Sequence, residues 1–348
     1  MLTAKENTQE AITWGNPDRF VNNFEGLAMR VHPAMMVEPP QKAGDPDIVN
    51  RWGVTRSFPL GVPAAFPVHT PDKVVVKDIE HWQDYVHAPS LDFPDELWAQ
   101  CKETMYDTID TSKAFSCTLI VGGLFEQTHH LCSMDQALVY YMTNPDEMED
   151  LIKLLTDYEL KMAEGICSHL HPETIFHHDD FGSETNSFLR PSMFEDFFLD
   201  SYKQIYGYYH DHGVKYIFHH ADSYCANILD TMIEMGIDVW QGCMHSNNIP
   251  ELMEKYKGKI AFMGDIDNKF VDHPNWTRDE VREAAIRSME SCGMTGFIPC
   301  ITQGGPGSTF KGTYDVLIDE IDKYNSEKFG FTKQELEDAR MPIQIMFG

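Results

Sequence analysis

The stretch VKYIFHHADSYCANILDTMIEMGIDVWQG, residues 214–242, holds a whole structural unit in 29 residues. A β-branched and aromatic run (Val214–Phe218) meets a polar turn with two histidines and an aspartate. The helical pattern NILDTMIEMG follows, ends at a glycine, and gives way to a second apolar run, IDVWQG. Strand, helix and strand at this spacing describe a βα unit feeding a parallel sheet.

The same unit recurs on both sides. The apolar runs are FSCTLIVGG (115–123), TIFHHDDFG (174–182), VKYIFHHAD (214–222), IDVWQG (237–242), KIAFMGDID (259–267) and GFIPCITQGG (296–305). Between them lie helical patterns such as PDEMEDLIKLLTDYELKMAEGI and PSMFEDFFLDSYKQIYGYYHDHG. The second opens with proline near its first turn and stops at glycine. Six such units, with room for two more in the less regular first hundred residues, favour an α/β chain folded as a single (β/α)8 TIM barrel over residues 1–348. VNRWGVTRSFPLGVP (49–63) is expected to be an added N-terminal hairpin or helical segment outside the barrel.

Composition narrows the partners. An apolar fraction of 42% with 12% aromatics supports a folded core. A net charge of -28, from 55 acidic and 27 basic residues, argues against nucleic acid and anionic membranes. No apolar run approaches the length of a membrane span, and the first residues lack a signal-peptide core. The eight cysteines show no CxxC spacing and read as free thiols in a reducing, cytoplasmic compartment.

The polar residues gather where each run ends: His177, His178, Asp179 and Asp180; His219, His220 and Asp222; then Gln241 and His245, Asp265 and Asp267, Thr302 and Gln303. In a parallel barrel those ends share one face, where loops build the active site. Adjacent strand residues point to opposite faces, so one of His177/His178 and one of Asp179/Asp180 should leave the site. His220 and Asp222, two apart, share a side and suit either metal ligation or an acid–base pair. Asp222 or Ser223 could equally cap a helix starting near Tyr224, where the helix dipole would lower the Cys225 thiol. Glu184, and Cys300 on a later run, extend the set of candidate ligands. QGGPGS (303–308) lacks the spacing and lysine of a phosphate loop. Phe181, Tyr224 and Trp240 are candidates for a substrate pocket and equally for core.

These blocks, in this order, resemble the uroporphyrinogen decarboxylase superfamily: NPDRF, RWGV, GGLFEQ, NPDEMEDLI, HHDDFGSETNSFLRPSMFEDFFLDSYKQI, HHADSYCANILDTMIEMGIDVWQ, KIAFMGDID and GFIPCITQGGPG. The resemblance implies a TIM barrel with its site at the C-terminal face. It also implies one of two chemistries, metal-free porphyrinogen decarboxylation or methyl transfer to a corrinoid. The arginine-rich RxxGR motif of the decarboxylases is missing from the first 60 residues. Thiol-methylating relatives bind zinc through His-x-Cys and a distant cysteine. His220 falls on that histidine, Asp222 on the first cysteine, and the second aligns near Gln303, three residues from Cys300.

Nitrogen and oxygen ligands in place of sulfur leave a more electrophilic metal, suited to polarising an ether or amine. The expected activity is therefore a methyltransferase of O-demethylase type. It would move a methyl group from a small methylated substrate, an O-methyl compound, to cobalamin carried by a corrinoid-binding protein. The expected catalytic residues are His220, Asp222, Asp180 and Glu184. His178, His219, Gln241, His245 and Asp265 would bind substrate. His220, Asp222, Glu184 and Cys300 would hold zinc. A homodimer is compatible with this reading, and a decarboxylase or a non-catalytic binding protein are the competing ones.

Overall fold

The computed structural model describes residues 1–62, 64–304 and 309–342; residues 305–308 of the QGGPGS stretch and Pro63 of the added segment lie outside them. The first strand is β1 (Leu27–Arg30). A small antiparallel sheet follows, β2 (Ile48–Val49), β3 (Thr55–Ser57) and β4 (Phe66–Pro67), and this is the added segment. The six apolar runs then form β5 (Phe115–Val121), β6 (Thr174–His178), β7 (Tyr216–His220), β8 (Val239–Cys243), β9 (Ala261–Ile266) and β10 (Phe297–Ile301).

The large sheet runs β1-β5-β6-β7-β8-β9-β10, and each neighbouring pair is parallel. Helices including Pro145–His169, Pro191–Asp211, Arg278–Cys292 and Thr313–Phe329 alternate with the strands, giving the TIM-like barrel expected from the sequence. Side chains from all seven strands meet in one inner cluster, among them Met29, Leu119, Phe176, Phe218, Val239, Met263 and Ile298. Helix Ala4–Ile12 contributes Ala11 and Ile12 to it.

Seven strands, not eight, build the sheet among the described residues. Ahead of β1, Phe24 packs against both the inner cluster and a second one beneath the last helices. Backbone groups here find side chains instead of a strand ladder. Phe20 N–H donates to Asn325 Oδ1 at 3.0 Å, Asn325 Nδ2 returns a bond to Phe20 O at 2.9 Å, and Asn22 donates to Asp322 at 2.7 Å. A segment satisfied in this way has no need of strand partners.

The register of β6 on β7 sets His177 beside His219 and His178 beside His220. Phe176 and Phe218 belong to the inner cluster, while Ile175 and Ile217 belong to the large cluster on the outer side of the sheet. Period-two alternation therefore turns His178 and His220 inward and His177 and His219 outward. At Gly242 the ladder of β8 is interrupted by a bulge, with φ of +86°. A Cβ there would stand 3.1 Å from Ala221 C and Asp222 N, so glycine lets this strand close on the HHAD turn.

Candidate active site

The outward layer is structural. Asp179, fully buried, accepts from Phe125 N–H (2.9 Å) and Glu126 N–H (2.7 Å) at the start of helix Leu124–Cys132, and from Tyr202 O–H. His219 accepts from Tyr206 O–H at Nδ1 (2.7 Å) and donates from Nε2 to Asp179 O (3.1 Å). His177 Nε2 pairs with Glu159 at 2.9 Å. Asp179→Ala would strip three donors, two of them fully buried, of their acceptor and is expected to cost about 3 kcal/mol or more. Urea unfolding reads this directly, and a change below about 1 kcal/mol would refute the capping role.

The inward layer converges on Asp180. His178 Nε2 lies 3.9 Å from Asp180 Oδ2, and His220 Nε2 lies 3.9 Å from both Asp180 Oδ1 and Asp222 Oδ2. Each imidazole is held from behind: His178 Nδ1 by Glu126 Oε2 at 2.8 Å, and His220 Nδ1 by Gln241 Oε1. The two rings stack with centroids 4.4 Å apart. Asp222 N–H donates to Asp180 Oδ1 at 2.8 Å, which ties the two turns together.

Stacked imidazoles this close do not share charge equally. Burial alone would push His178 down, but the Glu126 and Asp180 carboxylates overcome it and raise it to about 10. His220 is lowered to about 4, first by burial and then by the charge on His178. Asp222 is raised to about 8 by burial and by Asp180. At neutral pH the metal-free cluster thus holds a charged His178, a neutral His220 and a protonated Asp222.

His178, Asp180 and His220 offer ligand atoms within 4.8 Å of one another. With both Nδ1 atoms occupied, both Nε2 atoms remain for a cation, the usual outer-shell arrangement of a zinc-bound histidine. Separations of 3.9 Å are long for hydrogen bonds and near the ~3.3 Å edge that metal bonds of ~2 Å give in a tetrahedron. The residues fit zinc.

Other candidate residues stand elsewhere. Glu184 is exposed and pairs with Lys269 at 2.9 Å, so the structure does not bring it to His220. Cys300 is buried in the inner cluster behind Gln241, whose Nε2 approaches its Sγ at 3.9 Å, and burial pushes its thiol up. His245 and Asp265 form a separate pair at 2.8 Å, with Arg287 bonded to Asp265 O at 2.8 Å. Phe181 and Trp240 lie in the outer core, and Trp240 Nε1 donates to Ala221 O at 2.9 Å. The helix expected near Tyr224 begins at Leu229 with Ile228 before it, so neither Asp222 nor Ser223 caps it. Asn247 explains the delay. Its Oδ1 takes the N–H groups of Cys225 and Ala226 at 2.9 and 3.0 Å, holding this stretch as a turn. Without a helix dipole beneath it, the Cys225 thiol is pushed up to about 12 by burial.

One participant came from outside the strand ends. Glu126 sits in the GGLFEQ block, 52 residues before His178. Beside it lies a cavity of about 270 Å³ lined by His178, Glu126 and His130, by Trp52, Val54 and Arg56 of the added segment, and by Tyr158 and Met162. The added segment is therefore part of the site's wall.

A TIM-like barrel carrying a histidine–carboxylate cluster at the C-terminal ends of β6 and β7 defines a barrel protein with its site on the loop face. The family model described as uroporphyrinogen decarboxylase (URO-D) matches residues 96–323, and the chain belongs to that family. No curated protein matches the sequence. Among solved structures, a methyltransferase from Methanosarcina mazei is similar in fold, with a TM-score of 0.65 at 12% identity, covering 93% of this chain and 99% of that chain. An AP endonuclease of family 2 from Brucella melitensis aligns at a TM-score of 0.31 and 10% identity, over 60% of this chain and 78% of that one.

Proposed function

We propose that this chain is a methyltransferase that removes a methyl group from a small O-methyl compound and delivers it to cobalamin on a separate corrinoid protein. The observation that carries this reading is the convergence of His178 Nε2 and His220 Nε2 on Asp180, each ring fixed through its Nδ1. His178, Asp180 and His220 would hold zinc, and the bound ion supplies Lewis acidity toward the leaving oxygen. Corrinoid as acceptor follows from the family resemblance.

The chain's own groups do the rest. Gln241 and Glu126 fix the ring orientations. Trp52 and Tyr158, packed edge-on at 4.8 Å, give the cavity an apolar wall that excludes water from the methyl group. As the methyl carbon–oxygen bond breaks, its electron pair stays on oxygen, and Asp222 gives its carboxyl proton to that atom. Decarboxylation of a polycarboxylate fits less well, because Arg19 and Arg30 are already used and Arg56 is the one early arginine that lines the cavity. Arg19 faces Asp18 and Glu25, and Arg30 donates to Met105 O and Met29 O.

The test is conversion of cob(I)alamin to methylcobalamin with a panel of O-methyl donors, alongside metal analysis. Decarboxylation of a tetrapyrrole with no methyl transfer from any donor would reverse the assignment. A second expectation concerns protons. In the metal-free protein His178 keeps its proton until about pH 10, and zinc must displace it. Zinc and proton compete, so affinity rises with pH, up to about tenfold per unit between pH 7 and 9. Calorimetry in buffers of different ionisation enthalpy should show about one proton released per zinc. Release of none would remove His178 from the ligand set.

A further inference from the structure

Helix Leu124–Cys132 carries a second group of donors, of which the proposed methyl-transfer chemistry uses only Glu126, through its Oε2. Glu126, His129 and His130 offer ligand atoms that all lie within 4.8 Å of one another. The spacing explains the gathering, since residues three and four apart share a helix face and Glu126 sits one turn from both imidazoles. The same Glu-x-x-His spacing builds metal sites in helical bundles.

The histidines are otherwise unemployed. His129 is only 9% exposed, and its Nδ1 is shielded from water with no hydrogen-bond partner. Among the described residues neither imidazole forms a hydrogen bond or an ion pair; their contacts are with aromatic rings, including each other at 4.8 Å. A shielded ring nitrogen left unpaired is uncommon in a folded chain and asks for an occupant. Glu126 uses Oε2 for His178 at 2.8 Å, which leaves Oε1 for another partner.

We propose that Glu126, His129 and His130 form a second divalent-cation site of zinc type, separate from the His178–Asp180–His220 group and joined to it through the Glu126 carboxylate. Two imidazoles and one carboxylate are a common zinc set and leave a coordination position open. Glu126 and His130 both line the 270 Å³ cavity, so that open position faces the space assigned to the substrate. His69, just after the added segment, stands edge-on with its ring 6.3 Å from that of His129. Arg56 lines the same cavity and opposes a bare cation there.

The test counts metal ions on the full chain, stripped and then titrated with zinc alone. Wild type should take up two equivalents. His129→Gln/His130→Gln should take up one, and His220→Ala should also take up one, losing the other ion. Thermal midpoints within a few degrees of wild type would show that the variants fold. Arg56→Gln, which removes no ligand, should tighten one of the two equivalents severalfold. Two equivalents in the double glutamine variant, or a single equivalent in wild type that only His220→Ala removes, would overturn the second site. The outcome does not depend on methyl transfer, since a chain with no methyltransferase activity would still show the second equivalent.

Discussion

His220→Ala is expected to lose the zinc held at the Asp180 cluster and to lower kcat/KM for methyl transfer by about 10³-fold or more. The imidazole is the only group of the cluster whose Nε2 faces both carboxylates, at 3.9 Å from each. Removing it takes away a neutral donor and leaves Asp180 and Asp222 in a half-buried site with only His178 opposite them. Two neighbouring changes separate ligation from packing. Gln241→Leu deletes only the acceptor behind Nδ1, and loss of such a support costs about 10- to 100-fold in metal affinity. His219→Ala removes a fully buried ring bonded to Tyr206 and Asp179, and its cost should fall on stability while zinc content is kept. Metal content measured with the cobalamin assay decides the matter. Full zinc and a near wild-type rate in His220→Ala would end the cluster's role.

Much of this architecture is legible in the residues because two short-range rules act without competition. β-branched runs bounded by glycine and polar turns locate β5 to β10, and period-two alternation separates His178 from His177 once Phe176 and Phe218 are recognised as interior. The rules fail where long-range bonding replaces local propensity. β1, only four residues long, is fixed by pairing with β5 far along the chain, and its LAMR sequence carries no periodic signal. Ahead of β1, Phe20 is held by side-chain bonding from Asn325 in place of a strand ladder, and no pattern in residues 20–24 announces it. At the site, Glu126 is brought to His178 by the packing of a helix on the next strand. Its only trace in the sequence is the GGLFEQ block, where nothing local points to His178. Glu184 shows the converse: proximity to HHDD in sequence does not bring it to the cluster, because the chain turns outward at Gly182 to Ser187 and leaves it on Lys269.

Asp222→Asn tests the other half of the chemistry. The amide keeps the size of the carboxyl and leaves the backbone bond from residue 222 to Asp180 intact, but it cannot deliver a proton. Loss of a positioned general acid costs about 10²- to 10⁴-fold, so kcat should fall by that amount while zinc content is kept. The size of the loss should depend on the leaving group. A donor that departs as an unstabilised alkoxide needs the proton most, whereas one that departs as a stabilised anion should lose much less. The pH profile gives the sign. Without metal, burial and then Asp180 raise Asp222 to about 8; a cation bound beside it draws that value back down, and the proton is lost on the alkaline side of the resulting value. Zinc-loaded wild type should therefore lose activity as pH rises through that value, and Asp222→Asn, with no proton to lose at this position, should lack that limb. An equal loss across all donors with an unchanged alkaline limb would show that residue 222 acts only through its bond to Asp180, and would leave proton transfer to another group.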